Sequence, residues 1–248
     1  MAMTQVLLLG GTFDAHVLSN RLDAAGIACT YSFAGATQSR REQALPTRVG
    51  GFGGIVGLTH YLQAHKISHV IDATHPFAAQ MSRHAIAACG ALGIPLLSME
   101  RPPWQATAHD QWTHVADMEA AACTLRPHHH RVFLAIGRKQ LPMFASLSAS
   151  HHFLLRVVDQ PDAPLLPAPH ALIVERGPFQ LDDELALIRT HAIDCIISKN
   201  AGGKDTYAKI KAARQLHLPV IMVNRPSLPQ RMQCETPEEA MQWLRSQL

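Results

Sequence analysis

The residues able to do chemistry gather in short loops that directly follow apolar runs. Val6 to Leu9 leads into Gly10-Gly11-Thr12, and Val70-Ile71-Asp72 leads into Thr74-His75-Pro76-Phe77. Arg131 to Ile136 leads into Gly137-Arg138. Ile193 to Ser198 leads into Lys199-Asn200-Ala201-Gly202-Gly203-Lys204-Asp205-Thr206-Tyr207. Glycines after a strand let the backbone approach a phosphate, and the helix that follows offers N–H groups and a positive dipole end. A histidine at such a tip can polarise a ligand or donate to it. Arg138 can clamp a carboxylate with two parallel hydrogen bonds. The last loop is anion-binding by composition, and Lys199, Lys204 and Tyr207 are proton donors within it.

Two further loops belong to this set. Val49-Gly50-Gly51-Phe52-Gly53-Gly54-Ile55 places four glycines around one aromatic, as if a ligand must approach the backbone closely with Phe52 covering it. The run from Ile27 to Phe33 ends in Ala34-Gly35-Ala36-Thr37 with no Asp or Glu at its tip, and Ser39, Arg40 and Arg41 follow. In a dinucleotide fold that combination favours a 2′-phosphate, hence NADP over NAD. The glycine turn at residues 10–12 departs from G-x-G-x-x-G, because Thr12 and Ala15 replace the second and third glycines. The chain holds 16 histidines, densest at residues 128–130 and 151–152. Neighbouring histidines point different ways and lack thiolate or carboxylate partners at ligand spacing, so no metal site is expected. There is no Gly-x-Ser-x-Gly elbow and no P-loop.

These loops need rigid elements to hold them. The apolar runs alternate with helical periodicity: Phe13 to Ala25, Gly54 to His65, Phe77 to Leu92, Leu181 to Thr190, Thr206 to Leu216 and Pro237 to Leu248. Strand–helix alternation implies parallel sheets covered on both faces. Glu100-Arg101-Pro102-Pro103-Trp104 interrupts the rhythm, and paired prolines continue neither a helix nor a central strand. The expectation is therefore an α/β protein of two Rossmann-like domains, residues 1–102 and 103–248, with the active site in the cleft between them. Asp159 to His170 carries four prolines and reads as loop.

Composition narrows the function classes. The 248 residues are 47% hydrophobic and 17% charged, enough for a large core. Lys plus Arg number 22 against 19 acidic residues, a net charge of +3 that gives no case for nucleic acid or a membrane surface. Apolar runs stay far below the ~20 residues of a membrane span, and the N-terminus lacks a secretory pattern. Five scattered cysteines without a Cys-x-x-Cys pair fit reduced thiols in a cytoplasmic protein.

Taken together, the loops resemble the precorrin-6A reductase family, including its cobalt-precorrin-6A members. The matching segments are Leu-Leu-Gly-Gly-Thr at 8–12, Arg-Val-Gly-Gly-Phe-Gly-Gly at 48–54 and Asp-Ala-Thr-His-Pro-Phe-Ala at 72–78. Glu-Arg-Pro-Pro-Trp at 100–104 and Ile-Ser-Lys-Asn-Ala-Gly-Gly at 197–203 complete the set, in family order over nearly the whole chain. The resemblance implies an NADPH-dependent reductase of corrin biosynthesis that converts the tetrapyrrole polycarboxylate precorrin-6A to precorrin-6B, without flavin or metal. Neighbouring pathway enzymes are its natural partners.

By the same resemblance, Gly10, Gly11 and Thr12 hold the pyrophosphate. Gly51, Phe52, Gly53, Gly54, His75, Pro76 and Phe77 run along the cofactor, with Thr37 and Arg40 at its phosphate end. Ser198, Asn200, Gly202 and Gly203 close the site. His75, Lys199 and Tyr207 are the catalytic candidates, and Arg101, Arg138 and Lys204 face substrate. The family often has Arg where this chain has Ala36 and Glu where it has Asp14. Arg40 or Arg41 is expected to replace that missing Arg. The residues alone leave open a reductase of another unsaturated ligand, or a dinucleotide sensor or tetrapyrrole carrier.

Overall fold

The structure is a computed structural model that describes residues 4–35, 42–168 and 170–247. The chain forms two compact units, Met1–Pro102 with Ser227–Leu248, and Pro103–Pro226. In chain order the first comprises β1 (Val6–Leu9), α1 (Phe13–Ala24), β2 (Cys29–Phe33), β3 (Thr47–Val49), α2 (Gly54–Ala64), β4 (His69–Asp72), α3 (Ala79–Leu92) and β5 (Leu96–Met99). The second comprises β6 (Gln111–Val115), α4 (Met118–Thr124), β7 (Arg131–Ala135), a 3-10 stretch over Arg138–Leu147, β8 (His152–Val157), β9 (Ala171–Val174), α5 (Leu181–Thr190), β10 (Cys195–Lys199), α6 (Ala208–Gln215) and β11 (Pro219–Val223). The chain then returns to the first unit as β12 (Met232–Cys234) and α7 (Pro237–Gln247).

Each unit holds one six-stranded sheet, ordered β3-β2-β1-β4-β5-β12 in the first and β9-β8-β7-β10-β11-β6 in the second. Every pairing is parallel. The first reads 3-2-1-4-5-6, and β7 to β11 of the second read 3-2-1-4-5 with β6, the unit's first strand, on the edge beside β11. This is the doubly wound order whose ligands bind outside the strand carboxyl ends where the order reverses. That switch point lies between β1 and β4 in one sheet and between β7 and β10 in the other. All four loops singled out first in the sequence follow these four strands.

The run Val6-Leu7-Leu8-Leu9 is apolar throughout because both of its faces are covered. Val6 and Leu8 pack with Leu18, Leu22 and Leu244 under α1 and α7, while Leu7 and Leu9 pack with Leu58, Leu62 and Ala85 under α2 and α3. In the second unit Phe133, Ile196 and Val220 meet Ile188 and Ile210 of α5 and α6. On the opposite face the Phe144 ring meets Phe153 edge-on at 5.9 Å. Full burial of each such side chain contributes about 1.5–3 kcal/mol.

The far boundary differs from the sequence expectation, which gave residues 103–248 to the second domain. β12 pairs with β5 in register Met232↔Leu97, and α7 buries Ala240 and Leu244 against β1 and α1. A three-residue strand has no stability of its own, so it takes the free edge that β5 offers. Arg231 fixes it there, donating to Ser98 Oγ (2.9 Å) and to Glu100 Oε2 (2.7 Å).

Candidate active site

The first switch point is built by the turns after β1 and β4. A methyl group on Gly10 would lie 2.1 Å from the Tyr31 ring, so only glycine admits that ring beneath the turn. The Gly11 N–H donates to the Tyr31 hydroxyl at 2.8 Å. Thr12 caps α1 by accepting from the Ala15 N–H (3.1 Å) and donates to the Ala73 carbonyl (2.9 Å). One hydroxyl thus starts the helix and ties the two turns together. In the first turn of α1, Asp14 pairs with Arg101 at 3.1 Å. Arg101, expected on the substrate side, is thus tied to helix α1.

The turn after β4 is held by Asp72, which accepts from the Thr74 N–H (3.1 Å) and hydroxyl (2.7 Å). His75 is exposed. Its Nδ1 accepts from the Phe77 N–H at 3.2 Å, which leaves the proton of the neutral ring on Nε2. Pro76 is buried and Phe77 half-buried beside it. Three residues separate His75 from the first residue of α3, Ala79, where the sequence pattern starts that helix at Phe77.

The glycine loop at residues 50–54 is organised by Arg48, the first residue of the segment Arg-Val-Gly-Gly-Phe-Gly-Gly. Its Nη1 donates to Ser32 Oγ (2.8 Å) and the Gly50 carbonyl (2.9 Å), and Nη2 to the Gly51 carbonyl (3.0 Å). The guanidinium stacks 3.7 Å from the Phe52 ring centroid, and Phe52 meets Tyr61 edge-on at 5.1 Å. This explains the embedded aromatic: Phe52 covers a cation. Gly53 and Gly54 both have φ of +81°, a conformation that disfavours any side chain there. Thr37 and Arg40 lie outside the described residues.

The second switch point carries charge. Lys199 ends β10 half-buried, and Gly137, Arg138 and Lys139 follow β7 exposed. Burial, and after it the positive charge of Lys139, pull the Lys199 amine from 10.5 down to about 8. The turns after β7 and β10 thus meet electrostatically.

Ser198 is wholly buried and donates to the Lys199 carbonyl at 3.2 Å. Its hydroxyl shapes the strand end, where the sequence reading placed a cofactor contact. Asn200 has a similar inward role. Its Oδ1 accepts from the Trp104 N–H (2.7 Å) and its Nδ2 donates to the Trp104 carbonyl (3.0 Å). Trp104 Nε1 donates to the Gly203 carbonyl at 2.7 Å. Arg225 adds bonds to the carbonyls of Asn200 (2.9 Å) and Ala201 (3.1 Å). Below the loop, the buried amine of Lys209 donates to the Thr206 carbonyl at 2.7 Å. Burial pulls that amine down to about 7.

Of the remaining candidates, Lys204 is exposed, Gly202 is buried and Gly203 half-buried. The Tyr207 hydroxyl accepts from Arg214 (2.7 Å), which forks onto Asp110. The Arg48–Ser32, Tyr31–Gly11 and Asn200–Trp104 contacts were missed because each joins separate segments; the signal available was an Arg and an aromatic beside glycines.

Residues 5–245 match the family described as precorrin-6x reductase CbiJ/CobK. The chain belongs to this family. The precorrin-6A reductase of Rhodobacter capsulatus is 49% identical over 243 residues, covering 98% of this chain and 96% of the relative. That of Mycobacterium tuberculosis is 43% identical, covering 92% and 91%. The cobalt-precorrin-6A reductase of Salmonella typhimurium is 28% identical, covering 90% and 88%. A solved structure titled CobK precorrin-6A reductase superposes with a TM-score of 0.93 at 48% identity, covering 98% of this chain and 97% of that one. As a member of the precorrin-6x reductases, the chain is an oxidoreductase of cobalamin biosynthesis that reduces a double bond of a precorrin macrocycle. Among the described residues no helix is long and apolar enough to cross a membrane.

Proposed function

We propose that this reductase takes its electrons from NADPH and acts on cobalt-free precorrin-6A, giving precorrin-6B in the cytoplasm. Identities of 41–49% to precorrin-6A reductases against 27–29% to their cobalt counterparts support the cobalt-free substrate. The observation that carries the division of labour is Lys199. It is a half-buried amine at a strand carboxyl end, titrating near 8, on a loop set rich in cations.

The residues of the first unit fit a dinucleotide. The strand order is the doubly wound one, the turn after β1 is glycine with a helix behind it, and no carboxylate stands at the tip of β2. Gly10, Gly11 and Thr12 would hold the pyrophosphate, with the Gly51–Gly54 loop and His75-Pro76-Phe77 along the rest of the molecule. Bound there, NADPH supplies a hydride to an electron-poor double bond. The chain supplies what remains. Arg138 and Lys204 attract the acidic side chains of the macrocycle. Lys199, charged below about pH 8, holds a proton for the carbon next to the reduced one. His75 Nε2 and the Tyr207 hydroxyl are the other donors at these edges.

Anaerobic incubation with precorrin-6A and either NADPH or NADH, following cofactor oxidation and the macrocycle spectrum, tests the reading. Turnover with NADPH well ahead of NADH is expected. Turnover confined to cobalt-precorrin-6A overturns the substrate assignment. Tight cofactor binding with neither macrocycle reduced overturns the catalytic reading in favour of a sensor or carrier.

A further inference from the structure

In a doubly wound sheet the end of β2 faces the adenosine ribose, and the group placed there decides between a free 2′-hydroxyl and a 2′-phosphate. A carboxylate accepts from the hydroxyl and repels the phosphate. Residues 27–35 contain no Asp or Glu. Ser32 stands at the end of β2 instead, and its register partner on β3 is Arg48.

Arg48 is held for a task beyond packing. Its three hydrogen bonds, to Ser32 Oγ, Gly50 O and Gly51 O, fix one side of the fork, and Phe52 covers one face at 3.7 Å. The side chain is half-exposed, and no carboxylate pairs with it among the described residues. Burial holds the Arg48 guanidinium below its ordinary value, and an arginine still carries its charge at neutral pH. Its Nε and remaining Nη2 hydrogens have no partner among the described residues, which suits two parallel bonds to a phosphate.

We infer that Arg48, backed by Ser32 and Phe52, reads the 2′-phosphate of the dinucleotide and sets the preference for NADP(H) over NAD(H). The inference rests on the dinucleotide reading of the first unit. It gives Arg48 the part that the sequence reading assigned to Arg40 or Arg41.

The test is calorimetric titration of the unloaded protein with NADP⁺ and with NAD⁺, for the wild type, Arg48→Met, Arg48→Lys and the double variant Arg40→Ala/Arg41→Ala. Losing a charge-assisted phosphate contact should weaken NADP⁺ binding by about 10- to 100-fold in Arg48→Met. NAD⁺ affinity should fall far less, so that the ratio of the two affinities drops by about tenfold or more, and Arg48→Lys should recover part of the preference. Equal loss for both nucleotides would show that Arg48 only shapes the loop, and overturns the inference. So does a preference intact in Arg48→Met and lost in the double variant. A wild type that binds neither nucleotide overturns the underlying dinucleotide reading itself. Arg48→Lys keeps the test valid where Arg48→Met folds poorly, because the ratio of the two affinities is independent of the folded fraction.

Discussion

The two switch points share one strand order and differ in what their turns contain. After β1 and β4 the turns are glycine, threonine, histidine and proline, and their hydrogen bonds run inward to Tyr31, Ala73 and Asp72. After β7 and β10 the turns present Arg138, Lys139, Lys199 and Lys204, and one of these amines has lost part of its hold on its proton. The same scaffold therefore yields a neutral cradle in one unit and a cationic, proton-bearing edge in the other. Position comes from the sheet and chemistry from the loops that leave it.

The strongest way to break this contrast is to remove the amine. Lys199→Met should lower kcat by about 100- to 1000-fold, the range of a lost general acid. NADPH affinity measured by fluorescence titration should hardly move. His75→Ala should also lower turnover more than it weakens NADPH binding, by about tenfold, because solvent can replace an exposed donor. If both variants keep full activity, the active-site placement is wrong.

The neutral cradle is broken from below. Gly10→Ala pushes a methyl group into the Tyr31 ring, 2.1 Å away, and should cost about 1–3 kcal/mol of stability. Chemical denaturation would measure the loss, and nucleotide affinity should fall with it. Thr12→Ala removes the α1 cap and the bond to Ala73, for about 1 kcal/mol.

Acid should sharpen the same difference. Burial is the chief cause that holds His129 and His152 below 6.5, and positive neighbours add to it in both. Both lie in the second unit, whereas the first has one such histidine among the described residues, His69, lowered by burial alone. Their neutral forms favour the fold, so their contribution is complete above pH 6.5 and is lost as pH falls from 6.5 through their folded values. Hydrogen exchange at pH 5 against pH 7.5 should show protection declining around β7 and β8. Protection unchanged around β7 and β8 at pH 5 would contradict this.

Most of the fold was legible because buried parallel strands announce themselves as unbroken apolar runs. Val6–Leu9, Val70–Ile71 and Ile193–Ser198 each mark a central strand, and paired prolines mark the crossing at 102–103. What escaped was at the sheet edges. Thr47–Val49, Gln111–Val115 and Met232–Cys234 are short and largely exposed, so they carry no apolar run. That is why the return of the chain to the first unit could not be read. The candidate loops were legible wherever a glycine-rich or charged stretch followed an apolar run. Arg48 with Ser32, Tyr31 with Gly11, and Asn200 with Trp104 were hidden because their partners meet only once the sheets form. Ser198 and Asn200, which the family resemblance implies as cofactor contacts, are buried, and Asn200 bonds the Trp104 backbone.

The role proposed for Lys199 is to hold the proton delivered to the macrocycle. The most direct measurement is the pH dependence of kcat for precorrin-6A reduction at saturating NADPH, for the wild type and Lys199→Arg. The amine is protonated below about 8, so wild-type kcat should fall as pH rises through that value. In Lys199→Arg the charge persists to far higher pH, so the fall should vanish from a rate already reduced. An unchanged descending limb near 8 in the variant would contradict the account, because another group would then own the proton.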